Sequence, residues 1–124
     1  MLRAIKRVLR TGGRLAFLTI HATPGLSDTD RRRASRMGPV AVAMRSTHQS
    51  LLRTAGFSQV EETDMTADYL TTLRGWVDGW LANEAAVRAV TGDDAFDTRV
   101  TKRIKTIAAV EEGLIRRSLV TATG

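Results

Sequence analysis

Apolar positions follow several distinct rhythms along the chain. Leu2, Ile5, Val8 and Leu9 recur at spacings of three and four, which predicts a short amphipathic helix over residues 2–10. Arg3, Lys6, Arg7 and Arg10 take its other face and last turn, where cations suit the helix dipole. Thr11-Gly12-Gly13 stops it, because glycine is free to adopt a positive φ. Leu15 to Ile20 is a nearly continuous apolar run, the pattern of a strand covered on both faces by helices. Residues 22–45 read ambiguously. Pro24, Gly25, Gly38 and Pro39 punctuate them, and Asp28 to Met37 suit one mobile helix. A connection of this length in a compact domain is the kind that carries function or stays disordered.

The second half continues the alternation of helices and strands. Ser46-Thr47 caps a helix to about Ala55 with Leu51, Leu52 and Ala55 inward, and Gly56 ends it. Phe57 to Thr63 reads as a polar strand near a sheet edge. From Thr66, Tyr69, Leu70, Leu73, Trp76, Val77, Trp80 and Leu81 form a wide apolar stripe, so one helix is expected as far as the break at Thr91-Gly92-Asp93-Asp94. Phe96, Val100, Ile104, Ile107 and Leu114 mark another helix, ending near Glu112-Gly113. Arg116 to Thr123 closes the chain as a strand around Leu119, Val120 and Thr121. There is no internal repeat, and a single domain over residues 1–124 is expected.

Charge changes this picture only modestly. The net charge is +6, and 11 of the 19 Lys and Arg but only 2 of the 13 acidic residues lie in residues 1–53. Such a basic half suits an anionic partner or an arginine-rich solvated surface. Aromatics make up 5% of the chain and do not interleave with the basic residues as a stacking platform requires, so nucleic-acid binding is not favoured. The chain has no cysteine, which excludes disulfides, thiolate metal sites and a cysteine nucleophile and fits a reducing cytoplasm, the expected location. No run of about 18 apolar residues is present, so no membrane span is expected. Gly-x-Gly-x-x-Gly, the P-loop and His-Glu-x-x-His are all absent from the sequence.

Three segments resemble a known family. Arg7-Val8-Leu9-Arg10-Thr11-Gly12-Gly13-Arg14-Leu15 resembles the LxPGGxL signature of class I S-adenosylmethionine-dependent methyltransferases of the type 11 kind, with Thr11 where proline is usual. Leu51 to Val60 resembles that family's LLxxAGFxxV segment, which leads into its sixth strand. Gly113 to Ala122 resembles its last strand, which runs antiparallel between strands five and six. The resemblance implies an α/β fold: a partial Rossmann-like sheet of about three strands, equivalent to strands 5-7-6 with the last antiparallel, packed with helices. It also implies that this is the C-terminal half. The family's cofactor loop and ribose-binding acid belong upstream of residue 2, so S-adenosylmethionine is the implied cofactor but this chain alone is expected not to bind it.

The implied activity is methyl transfer to a small-molecule oxygen, nitrogen or carbon once an N-terminal half completes the site. The alternatives are a non-catalytic dimeric interaction module and a basic nucleic-acid-binding protein using Arg31-Arg32-Arg33-Ala34-Ser35-Arg36. The apolar strand at Leu15–Ile20 would present an open edge, so a homodimer or a separate N-terminal half is the expected partner. His21, at the carboxyl end of that strand, is the candidate for the substrate pocket, as general base or acceptor contact, or else an ordinary strand-end histidine. His48, in the first turn of a helix, reads as structural or exposed. No metal site is expected, since the two histidines are far apart in sequence and no third ligand is evident. Trp76 and Trp80 share one helix face and read as core.

Overall fold

The computed structural model describes residues 1–39 and 46–124. The last six positions of the ambiguous 22–45 segment therefore lie outside the described residues. Three strands, β1 (Arg14–Ala22), β2 (Ser58–Asp64) and β3 (Ile115–Thr123), form one sheet in the order β1-β3-β2. Both pairings are antiparallel: β3 runs opposite to its two neighbours, which are therefore parallel to each other. This is the expected arrangement of a last strand inserted between two parallel ones. Among the described residues six helices pack around it: α1 (Leu2–Val8), α2 (Asp28–Met37), α3 (His48–Thr54), α4 (Thr66–Ala82), α5 (Glu84–Thr91) and α6 (Asp93–Glu111).

Side chains alternate across a strand, so the sheet has two faces with different covers. On one face Val120 and Ala122 of β3 pack with Leu15 and Phe17 of β1, Val60 of β2, Leu2 and Ile5 of α1, and the fully buried Leu52 of α3. On the other, Ile115 and Ala22 pack with Ala34 of α2, Tyr69 and Leu73 of α4, and Ala109 and Val110 of α6. β1 pairs in unbroken register from Arg14↔Thr123 to Ala22↔Ile115. β2 slips between Ser58 and Glu61, where Gln59 takes φ 48. Such a bulge twists an edge strand. It leaves Val60, Glu62 and Asp64 on the α1/α3 side.

Several expectations are corrected. Leu15 to Ile20 is not covered on both faces: Ala16 and Leu18 are exposed, and Leu18 keeps 51% of its surface. Its alternate residues lean on the α1/α3 face, while no described helix covers Leu18 on the other. The helix expected from Thr66 to the break at Thr91 is two helices, because Asn83 leaves helical geometry (φ −117, ψ 29) and separates α4 from α5. The first helix stops at Val8, since Leu9 is already extended, ahead of the Gly12 turn at φ 77. Trp76 and Trp80 are not core. The buried stripe of α4 is Tyr69, Leu73 and Val77, one residue per turn, and this turns the tryptophans outward. There the Arg103 guanidinium of α6 lies 5.0 Å from the Trp76 ring and 5.8 Å from the Trp80 ring.

Candidate functional site

The carboxyl end of β1 opens into a cavity of about 300 Å³. Its walls come from His21 and Ala22, the turn Thr23-Pro24-Gly25-Leu26, Arg31 of α2, the Thr47-His48 start of α3, and Glu62 of β2. Two local devices fix the walls. Ser27 accepts a hydrogen bond from the Asp30 N–H at 3.1 Å and starts α2. Thr47 accepts one from the Ser50 N–H at 3.1 Å and starts α3, which places His48 in the first turn. The turn itself is tied to the end of β3, because the Thr23 N–H donates to the Leu114 carbonyl at 2.9 Å and the Thr23 hydroxyl donates to Gly113.

Four polar side chains converge at the base of the cavity. His21 and His48 lie edge to face with ring centroids 4.7 Å apart, and both are buried. His48 Nδ1 lies 2.8 Å from Glu62 Oε1, and His21 Nε2 lies 2.9 Å from the buried Ser118 Oγ and 3.8 Å from Glu62 Oε1. The second nitrogen of His21, Nδ1, sits 3.0 Å from the Ala22 carbonyl oxygen. A carbonyl only accepts, so Nδ1 carries the proton and Nε2 presents its lone pair towards Ser118. By the same logic His48 Nδ1–H donates to the Glu62 carboxylate. Burial lowers the pKa of His21, with the nearby His48 adding to the effect. Glu62 is held below the usual carboxylate range despite its own desolvation, chiefly by the hydrogen bond from His48. Burial thus favours the neutral form of the His21 imidazole, beside the Glu62 carboxylate.

The sheet explains why these residues meet. Odd-numbered residues of β1 and even-numbered residues of β2 and β3 share the α1/α3 face, so His21, Glu62 and Ser118 project from three adjacent strands to the same side. α3 lies on that side, anchored by Leu52, and delivers His48 from above. Two histidines far apart in sequence are thereby brought together, and of the two readings of His48, structural or exposed, the structure shows it buried. Glu62 and Ser118 had not been singled out. Each is a polar residue sharing an inward face with apolar neighbours, Val60 for Glu62 and Val120 for Ser118, and that break in the alternation is the signal that would have found them. Arg31 lines the cavity while paired to Asp28, and Arg33 of the same helix pairs with Asp30 at 3.3 Å and Glu112 at 2.8 Å. The arginine run is thus partly neutralised by its own fold.

No family model matches the sequence, and no curated protein matches it. Solved structures do. The chain has the fold of the C-terminal portion of S-adenosylmethionine-dependent methyltransferases. One match is phosphoethanolamine N-methyltransferase 2 from Haemonchus contortus, solved with phosphomonomethylethanolamine and S-adenosylhomocysteine, at TM-score 0.82 and 17% identity over 98% of this chain. The mycolic acid cyclopropane synthase CmaA1 gives TM-score 0.85 at 18% identity over 99% of this chain, and the cyclopropane synthase MmaA2 from Mycobacterium tuberculosis gives 0.80 at 12% over 99%. The chain spans only 29%, 51% and 48% of those three proteins' own lengths. Among the described residues no helix is long and apolar enough to cross a membrane.

Proposed function

We propose that this chain is the acceptor-binding portion of an S-adenosylmethionine-dependent methyltransferase, with the cavity at the end of β1 as the acceptor pocket. The observation that carries this reading is the position of a built polar site. In open α/β sheets ligands bind beyond the carboxyl ends of the parallel strands, and the His21–His48–Glu62–Ser118 cluster lies at that end of β1. About 300 Å³ is at the small end of ligand pockets, which suits a small polar acceptor. His21 Nε2, whose lone pair is fixed by the Nδ1–Ala22 bond and met at rest by the Ser118 hydroxyl, receives the proton of an acceptor hydroxyl or amine once Ser118 turns aside. The resulting imidazolium is stabilised by Glu62, and the Ser118 hydroxyl turns from donor to acceptor between them.

The residues present do not fit the methyl donor itself. Among the described residues the cavity wall has a single glycine, Gly25, in a turn, and one carboxylate, Glu62, which is engaged by His48. Nothing on it cradles both an amino-acid moiety and a ribose, so no step through the cofactor is assigned to these residues. The donor side belongs to a further segment pairing along the outer edge of β1, where Leu18 is half exposed, or the edge is covered by a second copy of the chain.

Two measurements follow. Calorimetric titration of S-adenosylmethionine into the 124-residue chain is expected to show no binding; a micromolar Kd would overturn the division of labour. Light scattering of the same sample is expected to give a dimer, and a clean monomer at high concentration would mean that the β1 edge needs no cover.

A further inference from the structure

The same cluster has a property that the proton-transfer reading does not use. One ring nitrogen of each of His21 and His48 and a Glu62 carboxylate oxygen all lie within 4.8 Å of one another, and the three residues line one cavity. We propose that His21, His48 and Glu62 form a zinc site, with a fourth position open to the cavity. Two imidazoles and one carboxylate are a ligand set that suits zinc and leaves room for a water or an acceptor atom.

The geometry is close to what an ion requires. Ligand atoms about 2.0–2.1 Å from a tetrahedral zinc are about 3.3 Å from each other. Here Glu62 Oε1 is 2.8 Å from His48 Nδ1 and 3.8 Å from His21 Nε2, each within about 0.5 Å of that spacing, and the three residues offer ligand atoms all within 4.8 Å of one another. The support around the ligands is also of the kind that zinc sites use. His21 donates its other ring proton to the Ala22 carbonyl at 3.0 Å, which fixes both the tautomer and the ring plane with Nε2 free to coordinate. Thr47 caps α3 one residue before His48, and Leu52 holds that helix on the sheet, so the second imidazole comes from a supported element. Two small rearrangements accompany binding. The Ser118 hydroxyl turns from His21 to the carboxylate, and the His48 ring proton passes through solvent from Nδ1 to Nε2, so that Nδ1 presents a lone pair to the ion.

The composition makes the test sharp. The chain contains two histidines and no cysteine, so both imidazoles are in this cluster and no thiolate competes. The tag-free chain is titrated with zinc sulfate against a chromophoric chelator, and the ring nitrogens are followed by NMR. One zinc per chain is expected, with both histidine rings shifting together, and Glu62→Gln is expected to weaken binding at least about tenfold. The proposal is overturned if the wild-type chain takes up no zinc, if either ring stays unmoved as zinc binds, or if folded Glu62→Gln binds as tightly. The wild-type spectra decide even where the variant does not fold. The site lies in the acceptor pocket, but the titration contains neither methyl donor nor acceptor, so its failure leaves the acceptor reading standing.

Discussion

Ile115→Ala is expected to cost about 2–5 kcal/mol of folding stability, among the largest effects of any single truncation in this chain. Ile115 is fully buried and opens β3, the central strand on which both neighbours depend. It faces Ala22 across the ladder and packs in the cluster formed by Leu73 of α4, Ala109 of α6 and Ala34 of α2. Three of those four partners are already small or rigidly held, so they cannot close over the void left by truncation. The cost is therefore the lost transfer of the side chain plus most of the cavity term. Urea denaturation followed by circular dichroism measures it, with the slope unchanged and the midpoint lowered. A loss below about 1 kcal/mol would show that α4 and α6 can collapse onto the strand, contrary to the packing described.

Leu52→Ala should have a similar cost, about 2–5 kcal/mol, with a consequence for the site that Ile115→Ala lacks. Leu52 is fully buried under α3 against Phe57, Val120 and Ala122, on the opposite face of the sheet. α3 has only seven residues, too short to hold itself, so its helicity depends on this contact. Its first turn carries His48. Loss of Leu52 should therefore lower the melting temperature and also release the His48–Glu62 hydrogen bond, visible as a change in the His48 ring resonances. His21 belongs to β1 and is held by Ala22 and Ser118, so its resonances should move less. Equal movement of both rings would mean that His21 depends on the docking of α3 as much as on its own strand. Because the two clusters share no side chain, the costs of Ile115→Ala and Leu52→Ala should add to within about 0.5 kcal/mol in the double variant.

The amphipathic stripes marked most elements well. Helices at residues 48–54 and 93–111 and the closing strand were legible because hydrophobic period and glycine stops agree there. The misreadings share a cause. A continuous stripe from Tyr69 to Leu81 says that many residues are apolar, but packing selects only one ridge per helix pair, and here that ridge is Tyr69, Leu73 and Val77. Trp76 and Trp80 fall beside it and stack with Arg103 instead. The same holds for Leu18, apolar by composition yet half exposed because the cover of β1 differs between its two faces.

By itself the sequence determined the α/β class, the element order apart from the break between α4 and α5, and the placing of His21 at the end of β1, and the family resemblance of its motifs implied the antiparallel insertion of the last strand. These depend on local period, turn chemistry and short motifs, all of which act over a few residues. Only the tertiary structure decided that His21, His48, Glu62 and Ser118 form one site. They are separated by up to 97 positions, and what joins them is the register of β1 on β3 and β3 on β2 together with the docking of α3. Register and docking are set by the burial of Val120, Ala122 and Leu52 in a shared core. That is a property of surfaces meeting in space, and no spacing along the chain records it.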